Sequence, residues 1–173
     1  TDRPVDLLQE GVDCVLRVGA LQDSSLVARR IGLFEGVSCA APSYLERAGT
    51  PRTLEDLEQH TAVNYFSSRT GRTFDWEFLV DGKEVPVKMK GIVSVNDADA
   101  YVTCGLEGFG LIQPPLFMVL PHLHTGELVE VLPDFKPLPM PISVVYPHSK
   151  HLSSKVRVFV DWVAELFDSC PLL

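Results

Sequence analysis

The stretch GIVSVNDADAYVTCGLEGFGLIQPP at residues 91–115 decides the fold class. Its apolar first part belongs to a strand predicted over residues 87–95. Asn96 or Asp97 then provides the side-chain cap that is typical of a helix start. A short strand is predicted to follow over residues 109–113. Strand, helix and strand in this order predict an α/β fold.

The same alternation continues on both sides of this stretch. An apolar run at residues 14–18 is typical of a strand buried on both faces. Asp81-Gly82 predicts a two-residue hairpin turn, and the proline-rich residues 133–141 predict a stiff connector between two lobes. Further strands are predicted at residues 26–31, 37–41, 61–66, 73–80, 83–87, 127–132 and 141–146. A last helix, capped by Ser153 or Ser154, carries one apolar stripe of Val156, Phe159, Val160, Val163 and Phe167.

Composition and charge exclude several classes of function. The chain has 173 residues, of which 46% are hydrophobic and 22% are charged, so it can bury a core. Its net charge of −8 disfavours direct binding to nucleic acids and to anionic membranes. No apolar run approaches the roughly 20 residues that a membrane-spanning helix needs, and the start lacks the pattern of a signal peptide. The four scattered cysteines are predicted to be free thiols, which favours a reducing cytoplasm.

Signatures of catalysis and of cofactor binding are missing from the sequence. Residues 36–40 lack the last glycine of a nucleophile elbow, and no glycine-rich phosphate loop is present. His122 and His124 have the spacing of metal ligands on a strand, but they lack a third ligand at a clear spacing, so solvated histidines are favoured. The sequence therefore predicts no enzyme, no cofactor and no metal site.

Six groups of residues resemble the effector domain of the LysR-type transcriptional regulators. Each group alone is weak, but their order and spacing are specific, and they cover nearly the whole chain. They are VDLLQEGVD at 5–13 with LRVG at 16–19, SSLVARRIG at 24–32, CAAPSYL at 39–45 with GTPRT at 49–53, Leu57 and His60, NDADA at 96–100 with Gly105 and GFGL at 108–111, LPH at 120–122 with GELV at 126–129 and LPD at 132–134, and FVDW at 159–162.

The resemblance implies a two-lobed fold like that of type II periplasmic binding proteins, with strands that cross between the lobes. One lobe would consist of residues 1–40 and 140–173 and the other of residues 41–139, with a small-molecule effector in the cleft between them. Effector domains of this family begin with a strand and a helix that have no counterpart before Val5. We therefore expect the first lobe to lack these two elements and to expose strand-edge groups and apolar surface, unless a neighbouring chain covers them.

Three strand ends are the predicted effector-binding positions, because ligands of open α/β sheets bind beyond the carboxyl ends of strands. A helix start offers unpaired N–H groups to a small carboxylate, although the Asp97 side chain argues for a polar or cationic group there. The alternative is that the serines form an ordinary loop and that the residues at the helix start only cap it. The predicted positions are Gly19 with Ala20, Phe66 with Ser67 and Ser68, and Asn96 with Asp97.

Two further residues leave alternatives open. Phe109 stands between two glycines and is predicted to pack inside a tight turn, with a place in the wall of the cleft as the alternative. Arg17 stands in an apolar strand, where a snorkelling or paired arginine is favoured over contact with the effector.

Three functions are compatible with this fold. The favoured one is a cytoplasmic ligand-sensing domain that controls a DNA-binding helix-turn-helix absent from this sequence, in a regulator that associates as a dimer or tetramer and does not bind membranes. The second is a solute-binding receptor of the same fold, which would require a signal peptide. The third is a small-molecule enzyme on the same scaffold, which would require a catalytic residue set in the cleft.

Overall fold

The computed structural model describes residues 11–19, 26–147 and 154–169. The helices are α1 (Pro42–Ala48), α2 (Ala98–Leu106), α3 (Leu116–Thr125) and α4 (Ser154–Ser169), and a short 3-10 helix spans Glu55–Gln59. The strands are β1 (Val15–Val18), β2 (Leu26–Phe34), β3 (Cys39–Ala40), β4 (Thr61–Tyr65), β5 (Trp76–Val80), β6 (Lys83–Val87), β7 (Lys90–Val95), β8 (Val129–Glu130), β9 (Lys136–Pro137) and β10 (Met140–Pro147).

The chain divides into two compact units. Glu35–Leu138 lies in one unit, and Pro4–Phe34 forms the other together with Pro139–Leu173. Among the described residues, the chain passes between the units twice, after Phe34 and after Leu138. Cys39 and Ala40, which the sequence analysis assigned to the first lobe, lie in the unit Glu35–Leu138. The assignment of these units to lobes with boundaries near residues 40 and 140 stays a prediction.

The unit that contains Pro139–Leu173 is built on an antiparallel sheet with the strand order β1-β10-β2. The predicted last helix, α4, packs on this sheet. Its residues Val156, Val160 and Val163 are buried in one cluster with Ile142 and Val144 of β10. The prediction that Phe159 belongs to the same apolar stripe is wrong, since it is 37% exposed and lies outside this cluster.

The prediction that residues 14–18 form a strand buried on both faces is wrong. Leu16 is 48% exposed and Val18 is 49% exposed. Within the described residues, β1 pairs with β10 on one side and has no strand partner on the other. The core under α4 is formed by β2 and β10. The apolar run at residues 14–18 has the composition of a central strand, but within the described residues it lies at the edge of this sheet.

The unit Glu35–Leu138 contains a mixed sheet around β4. Strand β7 runs parallel to β4 on one side, and Leu111 forms a parallel bridge with Ala62 on the other. Ile112 then pairs antiparallel with Cys39, and β3 continues to β8. The strand predicted over residues 109–113 is thus reduced to the bridges at Leu111 and Ile112.

Two glycines allow the neighbours of β4 to approach closely. A Cβ atom at Gly91 would collide with the carbonyl oxygen of Ala62, and one at Gly110 would lie 2.8 Å from the carbonyl oxygen of Thr61. Because both obstacles are backbone atoms, a side chain at either position would push the strands apart. The sheet therefore depends on glycine on both sides of β4.

The hairpin and the connector of the sequence analysis lie in a second sheet of the same unit, with the order β6-β5-β9. The hairpin is confirmed, since Asp81 and Gly82 have φ values of 49° and 75°, both in the left-handed region that a tight hairpin turn requires. The proline-rich stretch is not a plain connector. Lys136–Pro137 pairs with β5, and β10 already begins at Met140.

Candidate functional site

The carboxyl ends of three parallel chain segments meet on one edge of the mixed sheet. Strands β4 and β7 are parallel, with Tyr65 opposite Val95, and the segment at Leu111 runs parallel to β4. The residues that follow these segments consequently leave the sheet on the same side. We call the surface formed by the residues at these three ends the carboxyl-end edge. Its residues are Phe66, Ser67, Ser68, Asn96, Asp97 and Gln113.

Two of the three predicted positions come together at this edge. Phe66 N–H donates a 2.9 Å hydrogen bond to the carbonyl oxygen of Val95. The Asn96 side-chain amide donates a 3.2 Å hydrogen bond to the Ser68 hydroxyl. Ser68 and Asn96 are both exposed to solvent. Polar groups from two strand ends are therefore held side by side on an accessible surface.

The loop after β4 is folded back on itself. Ser67 N–H donates to the carbonyl oxygen of Arg72 at 2.9 Å, and the carbonyl oxygen of Ser67 accepts from Gly71 N–H at 2.8 Å. Phe66 forms an antiparallel bridge with Thr73. With these backbone groups paired inside the loop, it is the side chains of Phe66 and Ser67 that offer contacts, and both are half-buried.

Asp97 caps helix α2, as predicted. Its backbone is extended, and its carboxylate oxygen Oδ1 accepts a 3.0 Å hydrogen bond from Ala100 N–H. Asp99 adds a second carboxylate in the first turn. The positive end of this helix is thus already opposed by two negative charges, which makes it a poor place for a ligand carboxylate.

A buried tyrosine links α2 to the third chain segment of the edge. Tyr101 is buried, and its hydroxyl accepts a 2.9 Å hydrogen bond from Gln113 N–H. Burial raises the pKa of Tyr101, although the hydrogen bond from Gln113 opposes the shift. The ring of Tyr65 meets that of Tyr101 edge-on at 5.6 Å. Helix α2 is therefore fixed relative to the ends of β4 and of the Leu111 segment.

Sequence reasoning missed Gln113. Its side-chain amide donates to the buried Ser38 hydroxyl at 3.4 Å, and the residue is half-buried. The signal was present in the sequence. Gln113 ends the strand predicted over residues 109–113, Phe66 ends the strand predicted over residues 61–66, and Asn96 follows the strand predicted over residues 87–95. A polar residue at that strand end could have been added to the predicted site on the same argument.

Phe109 does not lie at the carboxyl-end edge. It follows the end of α2 opposite to Asp97, and nine helical residues span about 13 Å. The prediction that Phe109 packs inside is wrong, since it is 46% exposed. Gly108 and Gly110 on either side are buried, against the Ser43 side chain and the β4 backbone respectively. This leaves the intervening side chain directed outwards.

The third predicted position lies in the other unit. Gly19 follows β1 with φ 94°, and its N–H donates to the carbonyl oxygen of Pro141 at 2.9 Å. Ala20 lies outside the described residues. Arg17 is exposed. Effector contact by Gly19 and Ala20 stays a prediction.

The histidine pair of the sequence analysis lies on a helix, not on a strand. His122 and His124 belong to α3, which follows Pro114-Pro115 and ends at Gly126. His122 Nδ1 lies 2.9 Å from the Glu127 carboxylate, and this contact lowers the pKa of Glu127. Among the described residues, no group of three or more His, Cys, Asp or Glu side chains is placed to hold a metal ion.

Three of the four cysteines lie among the described residues. Cys14, Cys39 and Cys104 are free thiols, in agreement with the prediction, and Cys170 lies outside the described residues. Burial raises the pKa of Cys39 to about 12, which makes this thiol unreactive. Across the described part of the chain, no helix has the length and apolar character needed to cross a membrane.

A family model described as the LysR substrate binding domain matches residues 1–168. The chain belongs to this LysR family. The regulator YhjC of Escherichia coli is 39% identical over 163 residues, which are 94% of this chain and 54% of YhjC. A transcriptional repressor of Pseudomonas aeruginosa is 35% identical over 171 residues, or 99% of this chain and 54% of that protein. The chain thus spans about half the length of these relatives.

Solved regulators of the LysR type have the same fold. The regulatory domain of CrgA from Neisseria meningitidis superposes with a TM-score of 0.75 at 27% identity, over 92% of this chain and 78% of that domain. The full-length virulence activator AphB of Vibrio cholerae gives 0.74 at 29% identity, over 96% of this chain and 56% of AphB. The predicted family and its periplasmic-binding-protein-like α/β fold are confirmed, and the relatives are transcriptional regulators.

Proposed function

We propose that this LysR substrate-binding domain senses a small polar effector at the carboxyl-end edge. The observation that supports this site is the convergence of three parallel segment ends, which brings Ser68 and Asn96 into hydrogen-bond contact and adds Gln113 on the same edge. Ligands of α/β sheets bind at such ends because polar side chains and backbone groups converge there. Gly19 and Ala20 are proposed as contacts from the other unit.

The side chains of this edge favour an effector with both donor and acceptor groups. Ser67 and Ser68 offer hydroxyls, Asn96 and Gln113 offer amides, and Asp97 offers a carboxylate. If the effector is a small carboxylate, its charge would be held by the hydroxyl and amide donors, away from the acidic start of α2. Phe109 is left out of this site because it lies at the opposite end of that helix.

We propose that the two units are the regulatory lobes, with the predicted boundaries near residues 40 and 140. Effector binding would shift the population between two arrangements of the whole regulator, which requires different affinities for the two. The DNA-binding part lies outside this chain, and the regulator would work in the cytoplasm as a dimer or tetramer. AaeR of Escherichia coli is an activator and the Pseudomonas aeruginosa relative is a repressor. Family membership is therefore compatible with activation and with repression of transcription.

No catalysis, cofactor or metal is part of this proposal. A ligand that binds only the folded state raises the stability by mass action, by about 2.7 kcal/mol at a concentration of 100 Kd. A thermal-shift screen of small aromatic and aliphatic acids, together with their amides, should therefore find the effector class. A hit should raise the Tm in proportion to the logarithm of its concentration.

Variants of the edge test where a hit binds. Ser67→Ala and Phe66→Ala should each weaken the hit, whereas Ser43→Ala should not, since Ser43 lies beside Gly108 at the far end of α2. Ser67→Ala and Ser43→Ala should melt near the parent temperature without ligand, whereas Phe66→Ala loses the packing of a half-buried ring, so each variant is compared with its own ligand-free melting temperature. If Ser67→Ala and Phe66→Ala both bind as tightly as the parent, the site is misplaced.

A further inference from the structure

A short chain of buried hydrogen bonds joins helix α1 to the start of β4. Tyr44 lies in α1, His60 directly precedes β4, and both side chains are buried. The Tyr44 hydroxyl oxygen lies 3.0 Å from His60 Nδ1, and it accepts a 2.9 Å hydrogen bond from Thr61 N–H. These contacts lie at the amino end of β4, away from the carboxyl-end edge.

The Thr61 contact favours one direction for the Tyr44–His60 hydrogen bond. A tyrosine hydroxyl has one proton to donate and can accept further hydrogen bonds. With Thr61 N–H donating to this oxygen, His60 Nδ1 lies at a distance to accept the Tyr44 proton, and we assign the neutral tautomer in which Nδ1 carries no proton. If His60 were protonated, Nδ1 would become a second donor towards the same hydroxyl. The tyrosine proton would then lose its buried acceptor, which is unfavourable.

Charged groups from three neighbouring elements lie near the His60–Tyr44–Thr61 hydrogen bonds. The carboxylate of Asp56, in the 3-10 helix, acts on the His60 imidazole through its negative charge. The Arg47 guanidinium of α1 lies 5.7 Å from the centre of the Tyr44 ring. Lys90 of β7 stands opposite Thr61, and its ammonium group donates to the Glu58 carbonyl oxygen at 3.1 Å. Burial lowers the pKa of His60, and the Asp56 carboxylate opposes this shift only in part. The imidazole is therefore neutral at neutral pH.

We propose that the His60–Tyr44–Thr61 hydrogen-bond chain is a proton-sensitive latch, closed while His60 is neutral and open once His60 binds a proton. Opening releases Thr61 N–H, the first backbone group of β4, from α1. Strand β4 ends directly before Phe66, so the latch acts on the strand that leads to the middle of the carboxyl-end edge. The latch uses contacts within Glu35–Leu138 alone and does not depend on the proposed effector.

The expected dependence of stability on pH follows from the lowered pKa of His60. In the unfolded chain a histidine has a pKa of about 6.5, so below this pH the unfolded state binds more protons than the folded state and stability falls. Urea titrations of the 173-residue chain between about pH 5 and pH 8 should show this. The unfolding constant should rise by up to about tenfold for each pH unit from about 6.5 down to the lower pKa that His60 has in the folded chain.

His60→Gln and His122→Gln form a matched pair of variants. Glutamine at position 60 binds no proton, so the rise in the unfolding constant should flatten. His122 lies on α3 and contacts Glu127, and its replacement should leave the rise attributable to His60 in place. Equal slopes for the parent and His60→Gln would overturn the proposal.

Amide hydrogen exchange at Thr61 tests the latch in the unmodified chain. After correction for the intrinsic effect of pH on exchange, Thr61 N–H should lose protection between pH 7 and pH 5, by up to about tenfold for each pH unit below about 6.5. The amide of Val63 in the middle of β4, which donates to the Leu111 carbonyl oxygen, serves as the internal reference and should lose less. If Thr61 keeps its protection, or loses no more than Val63, the latch does not open and the proposal fails.

Discussion

Replacing Asp97 by alanine should destabilise the start of α2 and with it the carboxyl-end edge. The Asp97 carboxylate accepts one hydrogen bond, of 3.0 Å, from Ala100 N–H. Removing such a cap from a helix start lowers the free energy of unfolding by about 1 kcal/mol, within a range of about 0.5–2. For a chain of this length, a change of about 1 kcal/mol lowers the Tm by about 2–4 °C.

Asp97→Asn is the matched control for this change. Asparagine is as good a helix cap as aspartate but carries no charge, so it should keep most of the stability that alanine loses. The two variants and the parent would be compared by urea titration, followed by far-ultraviolet circular dichroism, with the m-value checked for constancy. If asparagine loses as much stability as alanine, the charge and not the cap supports α2. If neither variant loses stability, the cap contributes nothing.

Three further outcomes are expected. Gly110→Ala should destabilise the chain by about 1–3 kcal/mol, because the new methyl group would meet the Thr61 backbone oxygen; an unchanged urea midpoint would refute this. Tyr101→Phe should cost about 1–3 kcal/mol by leaving Gln113 N–H without its acceptor, and a loss below about 0.5 kcal/mol would show that this bond is replaceable. Cys39, with its raised pKa and full burial, should react with a thiol reagent at pH 8 only after unfolding, as mass analysis of labelled peptides would show.

Features that depend on neighbours in sequence could be predicted. The hairpin at Asp81-Gly82 follows from residues that tolerate positive φ, and the cap at Asp97 follows from a carboxylate placed to accept from a helix N–H. The position of Phe66–Ser68 beside Asn96 was also accessible, because a parallel pair of strands puts both carboxyl ends at one edge. The hairpin and the cap are short-range signals, whereas the shared edge follows from the general rule for strand ends in α/β sheets.

Features that depend on distant partners could not be predicted. The run at residues 14–18 has the composition of a central strand, yet its burial depends on which strands and helices lie beside it. Gln113 reaches the edge only through the pairing of Leu111 with Ala62. Phe109 is turned outwards because Gly110 packs on the β4 backbone, which is far away in sequence. Local patterns carry no information about such contacts.

The most direct test of the proposed site is a map of backbone amide shifts by NMR while a hit from the thermal-shift screen is titrated in. The largest changes should fall on Ser67, Ser68, Asn96 and Gln113, with little change at Ser43 and Phe109 beyond the other end of α2. Shifts that concentrate at Ser43 and Phe109 and spare Ser67, Asn96 and Gln113 would contradict the claim that the effector binds at the carboxyl-end edge.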